Sequence, residues 1–127
     1  MIDIKELNIP NVCFSIADEF NDTKRRETYK QQRIERGFDD TETWNLDYTI
    51  ASFIVPRLKR FKEITNGYPG KITWEEWEEI LDKMINAFEL QVKEDDNIQT
   101  LEQEKAEYEI IQEGLNLFAK YYFCLWW

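Results

Sequence analysis

Residues 73–88 carry the clearest helix signal in the chain. Thr73 is followed three residues later by Glu76, which is the spacing of a capping box at a helix N-terminus. Apolar side chains then recur about every 3.6 residues, at Trp77, Ile80, Leu81, Met84, Ile85 and Phe88. A stripe of this kind predicts an amphipathic helix that packs its apolar side against other helices.

Few residues interrupt helical patterning elsewhere, because the 127-residue chain has only four glycines and three prolines. After an irregular or extended lead-in over residues 1–13, we expect a first helix from Ser15 to Arg36, ending at Gly37. Asn21, Asp22 and Thr23 are poor helix formers, so a break into two pieces at this point stays open.

The second helix is expected to begin within residues 39–43 and to run to the turn at residues 66–70. Apolar residues point in nearly every direction between Trp44 and Leu58, which predicts a central, buried helix. Pro56 lacks a backbone N–H and should kink it. A polar linker at residues 93–97 and a heptad pattern from Leu101 to Leu125 predict one further helix.

These segments predict an all-α fold in a single domain over residues 1–127. The expected architecture is a four-helix, mainly antiparallel bundle with a short irregular N-terminal lead-in and a Pro-kinked central helix.

Several classes of chemistry are disfavoured by what the sequence lacks. There is no histidine, which removes the commonest general base and metal ligand, and only two cysteines, Cys13 and Cys124, expected as free thiols. No glycine-rich phosphate loop is present. The acids at residues 75–82 have E-x-x-E spacing, but they lie on one helix without a facing carboxylate pair. We therefore predict no enzyme, no catalytic residue, no metal and no cofactor, and a carboxylate-dependent nucleotide hydrolase is disfavoured.

No apolar run approaches the roughly 20 residues that a membrane span needs, and residues 1–10 lack a signal-peptide pattern. The sequence predicts a soluble protein that stays where it is made, with no membrane partner.

Charge is distributed unevenly along the chain. The net charge is −10, yet residues 24–62 hold ten basic and six acidic groups, while residues 75–113 hold fourteen acids and three lysines. The net charge argues against direct binding of nucleic acid. The acids are either a solvated surface or an acidic face that contacts a basic partner; the candidate residues for that face are Glu75, Glu78, Glu79 and Asp82.

A second candidate site rests on Asp47, which lies at helical spacings from Trp44, Ala51 and Ile54. Its carboxylate is therefore expected to point inward, where it needs either a structural partner or a ligand. The residues that could bind a nucleotide-like molecule by stacking and charge are Trp44, Asp47, Arg57, Arg60, Tyr68, Arg26 and Arg33. A solvated or acid-paired role for these cations is the alternative.

The last five residues, Phe-Cys-Leu-Trp-Trp, are unusually aromatic for a chain end in water. They either dock on the core of the domain or form an exposed patch that binds a partner or a second copy.

Four stretches form a distinctive set: GFDDTETWNLD at 37–47, PRLKRF at 56–61, NGYPG at 66–70 and the EEW helix start at 75–77. Together with the closing Leu-Trp, they resemble a family of small uncharacterised proteins encoded in bacteriophage genomes. The resemblance covers roughly residues 25–127 and brings no settled activity. It implies expression in the cytoplasm of an infected bacterial host cell.

The sequence therefore predicts a phage accessory protein that acts by binding, and that inhibits a bacterial defence or regulatory protein through its acidic helical face. The alternative is a sequestering protein for a nucleotide-like signal molecule. The heptad of the last helix would also suit a homodimer.

Overall fold

A computed structural model describes residues 1–94 and 99–127, and within these residues the regular structure is helical, without strands. The predicted all-α class is confirmed. Four α-helices are present in the described residues: α1 (Thr23–Arg36), α2 (Leu46–Ile64), α3 (Trp74–Val92) and α4 (Leu101–Lys120). Short 3-10 turns lie at Ile4–Leu7, Ala17–Glu19, Asp40–Thr43 and Tyr122–Cys124. The predicted linker at 93–97 lies partly outside the described residues.

Contacts divide the chain into two compact units, Met1–Phe53 and Ile54–Trp127, with the boundary inside α2. The single domain stays a prediction.

In the first unit, α1 begins at Thr23 and not at Ser15, because the side chain of Asp22 accepts a hydrogen bond from the backbone N–H of Arg25 (3.2 Å) and caps the helix there. The chain does break at the predicted position, but only the second piece is an α-helix, since the first contains a 3-10 turn at Ala17–Glu19. Gly37 ends α1 as predicted: its φ of 87° is in the left-handed region, and its N–H donates to the carbonyl of Arg33 (2.8 Å).

Asp40–Thr43 is a 3-10 turn capped by Asp39, and α2 begins only at Leu46. The expectation of a helix buried on nearly every side is wrong for the first half of α2. Leu46, Ile50 and Phe53 are 50%, 49% and 45% exposed, and Ala51 is buried in this half. Pro56 lies inside the helix, as predicted.

In the second unit, α3 and α4 pack antiparallel. Trp77 contacts Tyr121 (ring centroids 5.6 Å apart) near one end, and Lys83 pairs with Glu113 (3.0 Å) further along. Both helices have a capping box, the predicted one at Thr73 and a second at Thr100, where the Gln103 side chain completes the box. The buried residues of α3 are Trp77, Leu81, Met84, Ile85, Ala87 and Phe88.

The C-terminal half of α2 runs beside α3 in the same unit. Lys59 pairs with Glu89 (2.5 Å) and Lys62 with Asp82 (2.6 Å), so these two segments are also antiparallel. Leu58, on this half of α2, is buried.

Candidate functional site

Glu75, Glu78, Glu79 and Asp82 lie on one side of α3, because residues three, four and seven positions apart share a helix face. We call these four residues the acidic face. The capping box and the buried apolar stripe fix the helix that carries them, so the carboxylates are held on a rigid support. Glu75, Glu79 and Asp82 are exposed, and Glu78 is half-buried.

Within the second unit, the acidic face makes surface ion pairs and one partly buried hydrogen bond. Asp82 accepts a hydrogen bond from Lys62 (2.6 Å), and Glu79 lies 3.6 Å from Lys83. Glu78 accepts a hydrogen bond from the indole N–H of Trp74 (2.6 Å). Among the described residues Glu75 has no ion-pair partner. Exposed pairs of this kind are typically worth about 0–1 kcal/mol, so they exchange readily for a stronger cationic partner.

The surroundings of this face are acidic as well. Helices α3 and α4 together contain eleven acids and three lysines. Lys83 is held by Glu113 (3.0 Å), and this hydrogen bond raises the pKa of Lys83 above its ordinary value. The potential over the helix pair is therefore negative, which favours approach of a basic surface.

A pocket of about 380 Å³ lies in the second unit, which also carries the acidic face. It is formed by the turn at residues 66–70 with Cys124, Trp126 and Trp127, and we call it the aromatic pocket. Its wall residue Tyr68 contacts Trp74 edge to face (centroids 5.8 Å apart). Since Trp74 also donates to Glu78, one chain of contacts joins the aromatic pocket to the acidic face.

The terminal aromatic residues are exposed, so the docked alternative of the sequence analysis is wrong for them. Phe123, Trp126 and Trp127 are 88%, 75% and 66% exposed. The sequence signal for this patch was the aromatic ending itself, whereas nothing local connects it with Tyr68.

The first unit is built around a buried ionic network. Arg33 is 5% exposed and donates two hydrogen bonds to Asp3 (2.9 Å each) and one to Asp39 (2.5 Å). The bond from Arg33 lowers the pKa of Asp3 despite the opposing effect of burial. The same bonds raise the pKa of Arg33 above its ordinary value against its own burial. The guanidinium thus ties the N-terminal segment to α1.

Asp39 is fully buried, and burial alone would raise its pKa. Hydrogen bonds from Ser15 (2.5 Å), Thr41 and Arg33 outweigh that effect, and the pKa of Asp39 lies below its usual value. Glu42 accepts from the backbone N–H of Phe14 (2.8 Å) and so fixes the lead-in on the same turn.

A cavity of about 430 Å³ in the first unit includes Arg26 and Arg33 of the predicted ligand site. Its cations are already paired: Arg26 lies 3.4 Å from Asp18, and Lys30 lies 3.0 Å from Glu6. The cavity is therefore balanced in charge and has no excess of cations to attract an anionic ligand.

The other residues of that predicted site have separate surroundings. The ring of Trp44 contacts the ring of Phe20 (centroids 5.4 Å apart), and the guanidinium of Arg25 lies over the Trp44 ring. Trp44 is 47% exposed. Asp47 is exposed, so the expected inward carboxylate is wrong, because its side of α2 is not covered.

The remaining residues of that site lie in the second unit. Arg60 pairs with Glu63 (3.0 Å), and Arg57 and Tyr68 lie in the same unit. A single ligand site formed by these residues with Trp44, Asp47 and the α1 arginines stays a prediction.

Among residues 1–94 and 99–127, no group of three or more Cys, Asp or Glu side chains is arranged to hold a metal ion. Cys13 and Cys124 are free thiols, and burial raises the pKa of Cys13. None of the helices in the described part of the chain has both the length and the apolar character to cross a membrane.

Comparisons with protein-family models, with curated proteins and with solved structures find no match to this chain. The resemblance to phage-encoded proteins therefore stays a prediction.

Proposed function

We propose that this protein acts by binding, without catalysis, and that its acidic face contacts a basic surface on a bacterial host protein. Because the sequence resembles phage-encoded proteins, we propose a bacterial defence or regulatory protein as the target, and inhibition of that protein as the result of binding. The supporting observation is the placement of Glu75, Glu78, Glu79 and Asp82 on one side of a capped and well-packed helix.

Rigidity and charge together favour this role. The carboxylates stand on a well-packed helix, so the backbone that carries them needs no ordering on binding, and the negative potential of α3 and α4 speeds diffusional encounter with lysines and arginines. Arginine and lysine clusters that bind nucleic acid on the target would be complementary in charge to this surface, which carries the same sign of charge as nucleic acid. Affinity should then fall as salt rises, because exposed charges are screened.

The experiment is affinity capture from bacterial cells that express the tagged protein, comparing wild type with the triple variant Glu75→Lys, Glu78→Lys, Glu79→Lys. We expect the triple variant to lose the captured host protein. The matched control reverses three exposed acids of α4, Glu102→Lys, Glu104→Lys and Glu109→Lys, which changes the net charge by the same amount and also alters a helix N-terminus.

Loss of the partner with the α3 variant alone supports the acidic face. Equal loss with both variants would mean that only net charge matters, and retention with the α3 variant would refute the proposed surface. Circular dichroism of each variant establishes that the helices remain folded.

A further inference from the structure

The aromatic pocket presents rings to water without a covering side chain from the described residues. Trp126 and Trp127 are 75% and 66% exposed, and Tyr68 is 52% exposed. Tyr68 contacts Trp74, whereas within the described part of the chain neither Trp126 nor Trp127 packs against another ring. Large exposed aromatic surfaces around a concavity are typical of binding sites.

The charges of the pocket wall and of the second unit indicate which class of ligand the pocket favours. The described residues that line the pocket are all uncharged. The second unit as a whole, residues 54–127, contains fifteen acids and nine basic residues. Faces of aromatic rings attract cations, and the negative net charge of the second unit as a whole favours cations over phosphates and carboxylates.

The position of the pocket adds a second constraint. Tyr68 forms part of the wall and touches Trp74, whose indole N–H donates to Glu78 of the acidic face. Contacts through Tyr68 and Trp74 therefore connect the pocket wall with Glu78, and the acidic face would contact further positive charges on a ligand long enough to reach it.

We infer that the aromatic pocket receives an arginine side chain from a basic segment of a partner protein, while neighbouring lysines or arginines of that segment meet the acidic face. Arginine fits better than lysine because its guanidinium is planar, weakly hydrated and able to stack on indole rings. The inference rests on the proposed function for the flanking contacts, whereas the pocket itself rests on Tyr68, Trp126 and Trp127.

The test uses two short glycine-serine peptides with lysines at both ends, one with a central arginine and the other with citrulline, the neutral isostere of arginine. Isothermal titration calorimetry with the wild-type chain should show that citrulline weakens binding by about 5- to 30-fold, the range between an exposed and a desolvated cation–π contact. This ratio needs no variant and so does not depend on any substitution being tolerated.

The double variant Trp126→Leu, Trp127→Leu keeps apolar surface but removes the π faces. We expect it to bind both peptides with similar affinity. The matched control is Phe123→Leu, because Phe123 is an exposed aromatic residue of the same segment, is 88% exposed and does not line the pocket. This control should keep the preference for arginine.

Equal affinity of the two peptides for the wild type, or no measurable binding of the arginine peptide, overturns the pocket inference. A preference for arginine that survives in the double Trp variant overturns it too. The proposed function fails separately: if arginine is preferred but charge reversal at Glu75, Glu78 and Glu79 leaves host-protein capture intact, the pocket stands and the acidic face does not.

Discussion

The first unit has charged side chains at its centre, whereas the second unit buries aromatic rings and alkyl side chains. In Met1–Phe53 the least exposed side chains include Asp39, Asp3 and Arg33, at 0%, 3% and 5% exposure. In Ile54–Trp127 they include Trp77, Leu81 and Met84, each at 1% or less. An ionic centre depends on every partner being present, whereas an apolar centre loses stability in proportion to the volume removed.

The difference follows from how much apolar material each unit can bury. Helix α1, the α-helix that lies entirely in the first unit, contributes few large apolar residues, and only Tyr29 and Arg33 on it are buried. Its connection to the N-terminal segment includes the buried guanidinium of Arg33 and the surface pair of Lys30 with Glu6, and α1 has no buried apolar stripe. Helix α3 instead has six buried residues on one side.

Substitution of Arg33 is predicted to cause the largest loss of stability. Arg33→Ala leaves Asp3 and Asp39 buried without their cation, and loss of one partner of a buried pair typically costs about 3–5 kcal/mol. Amide hydrogen exchange in α1 measures the lost free energy of opening.

The matched control for this prediction is Arg26→Ala, on the same helix. Arg26 is 49% exposed and lies 3.4 Å from Asp18, so its loss should cost about 1 kcal/mol or less. Equal losses for the two variants would show that burial of the Arg33 network contributes nothing.

Acid should weaken the same network by a smaller amount than Arg33→Ala, because a protonated carboxyl still accepts hydrogen bonds. The pKa values of Asp3 and Asp39 are lowered in the folded chain. Their contribution to stability is therefore present above the unfolded-state pKa of about 4 and is lost as pH falls through the folded-state values. Amide exchange of α1 as a function of pH checks this, and Asp3→Asn should flatten the dependence. A flat profile for the wild type would contradict it.

The sequence predicts the second unit better than the first because its signals are local. The Thr73–Glu76 capping box and most of the α3 stripe, including Trp77, Leu81 and Phe88, are found as predicted. The Thr100–Gln103 box has the same local spacing. Hydrogen bonds within a few residues and a helical period need no knowledge of distant contacts.

The first unit depends on residues that are far apart in sequence. Asp3 and Arg33 are joined across thirty positions, and no local pattern announces their pairing. At Asp47 the sequence instead predicted a contact that the structure lacks. Its apolar neighbours at helical spacing predicted that the carboxylate is buried, but it is exposed. Exposed apolar residues are common in folded proteins, so the apolar first half of α2 does not by itself indicate a core. The sequence did not predict the aromatic pocket either, because its wall joins the turn at residues 66–70 to Cys124, Trp126 and Trp127, which are far away in the sequence.

Close packing of α3 on α4 gives the next prediction. A Cβ at Gly114 would lie 2.6 Å from the carbonyl oxygen of Lys83 and collide with the Cβ of Ala87. Gly114→Ala should therefore destabilise the second unit by about 1–3 kcal/mol, although alanine favours a helix. Denaturant unfolding followed by circular dichroism measures it.

Gly67→Ala is the matched control for Gly114→Ala, since a Cβ there meets nothing within 4 Å and its φ is not in the left-handed region. The control should change stability little. A neutral or stabilising Gly114→Ala would mean that the helices separate at no cost.

The smallest predicted effect concerns a surface pair of the second unit. Lys62 and Asp82 are 2.6 Å apart, with side chains 33% and 59% exposed, so a double-mutant cycle with alanine should give a coupling of about 0.2–1 kcal/mol that weakens with salt. A coupling as large as that expected for Arg33 would abolish the contrast between surface and buried charge. Because Asp82 belongs to the proposed acidic face, a weak bond to Lys62 would also mean that little stability is lost if Asp82 turned to a cation on a partner. A measured coupling within this range would therefore fit both the contrast between surface and buried charge and the proposed use of this face for binding.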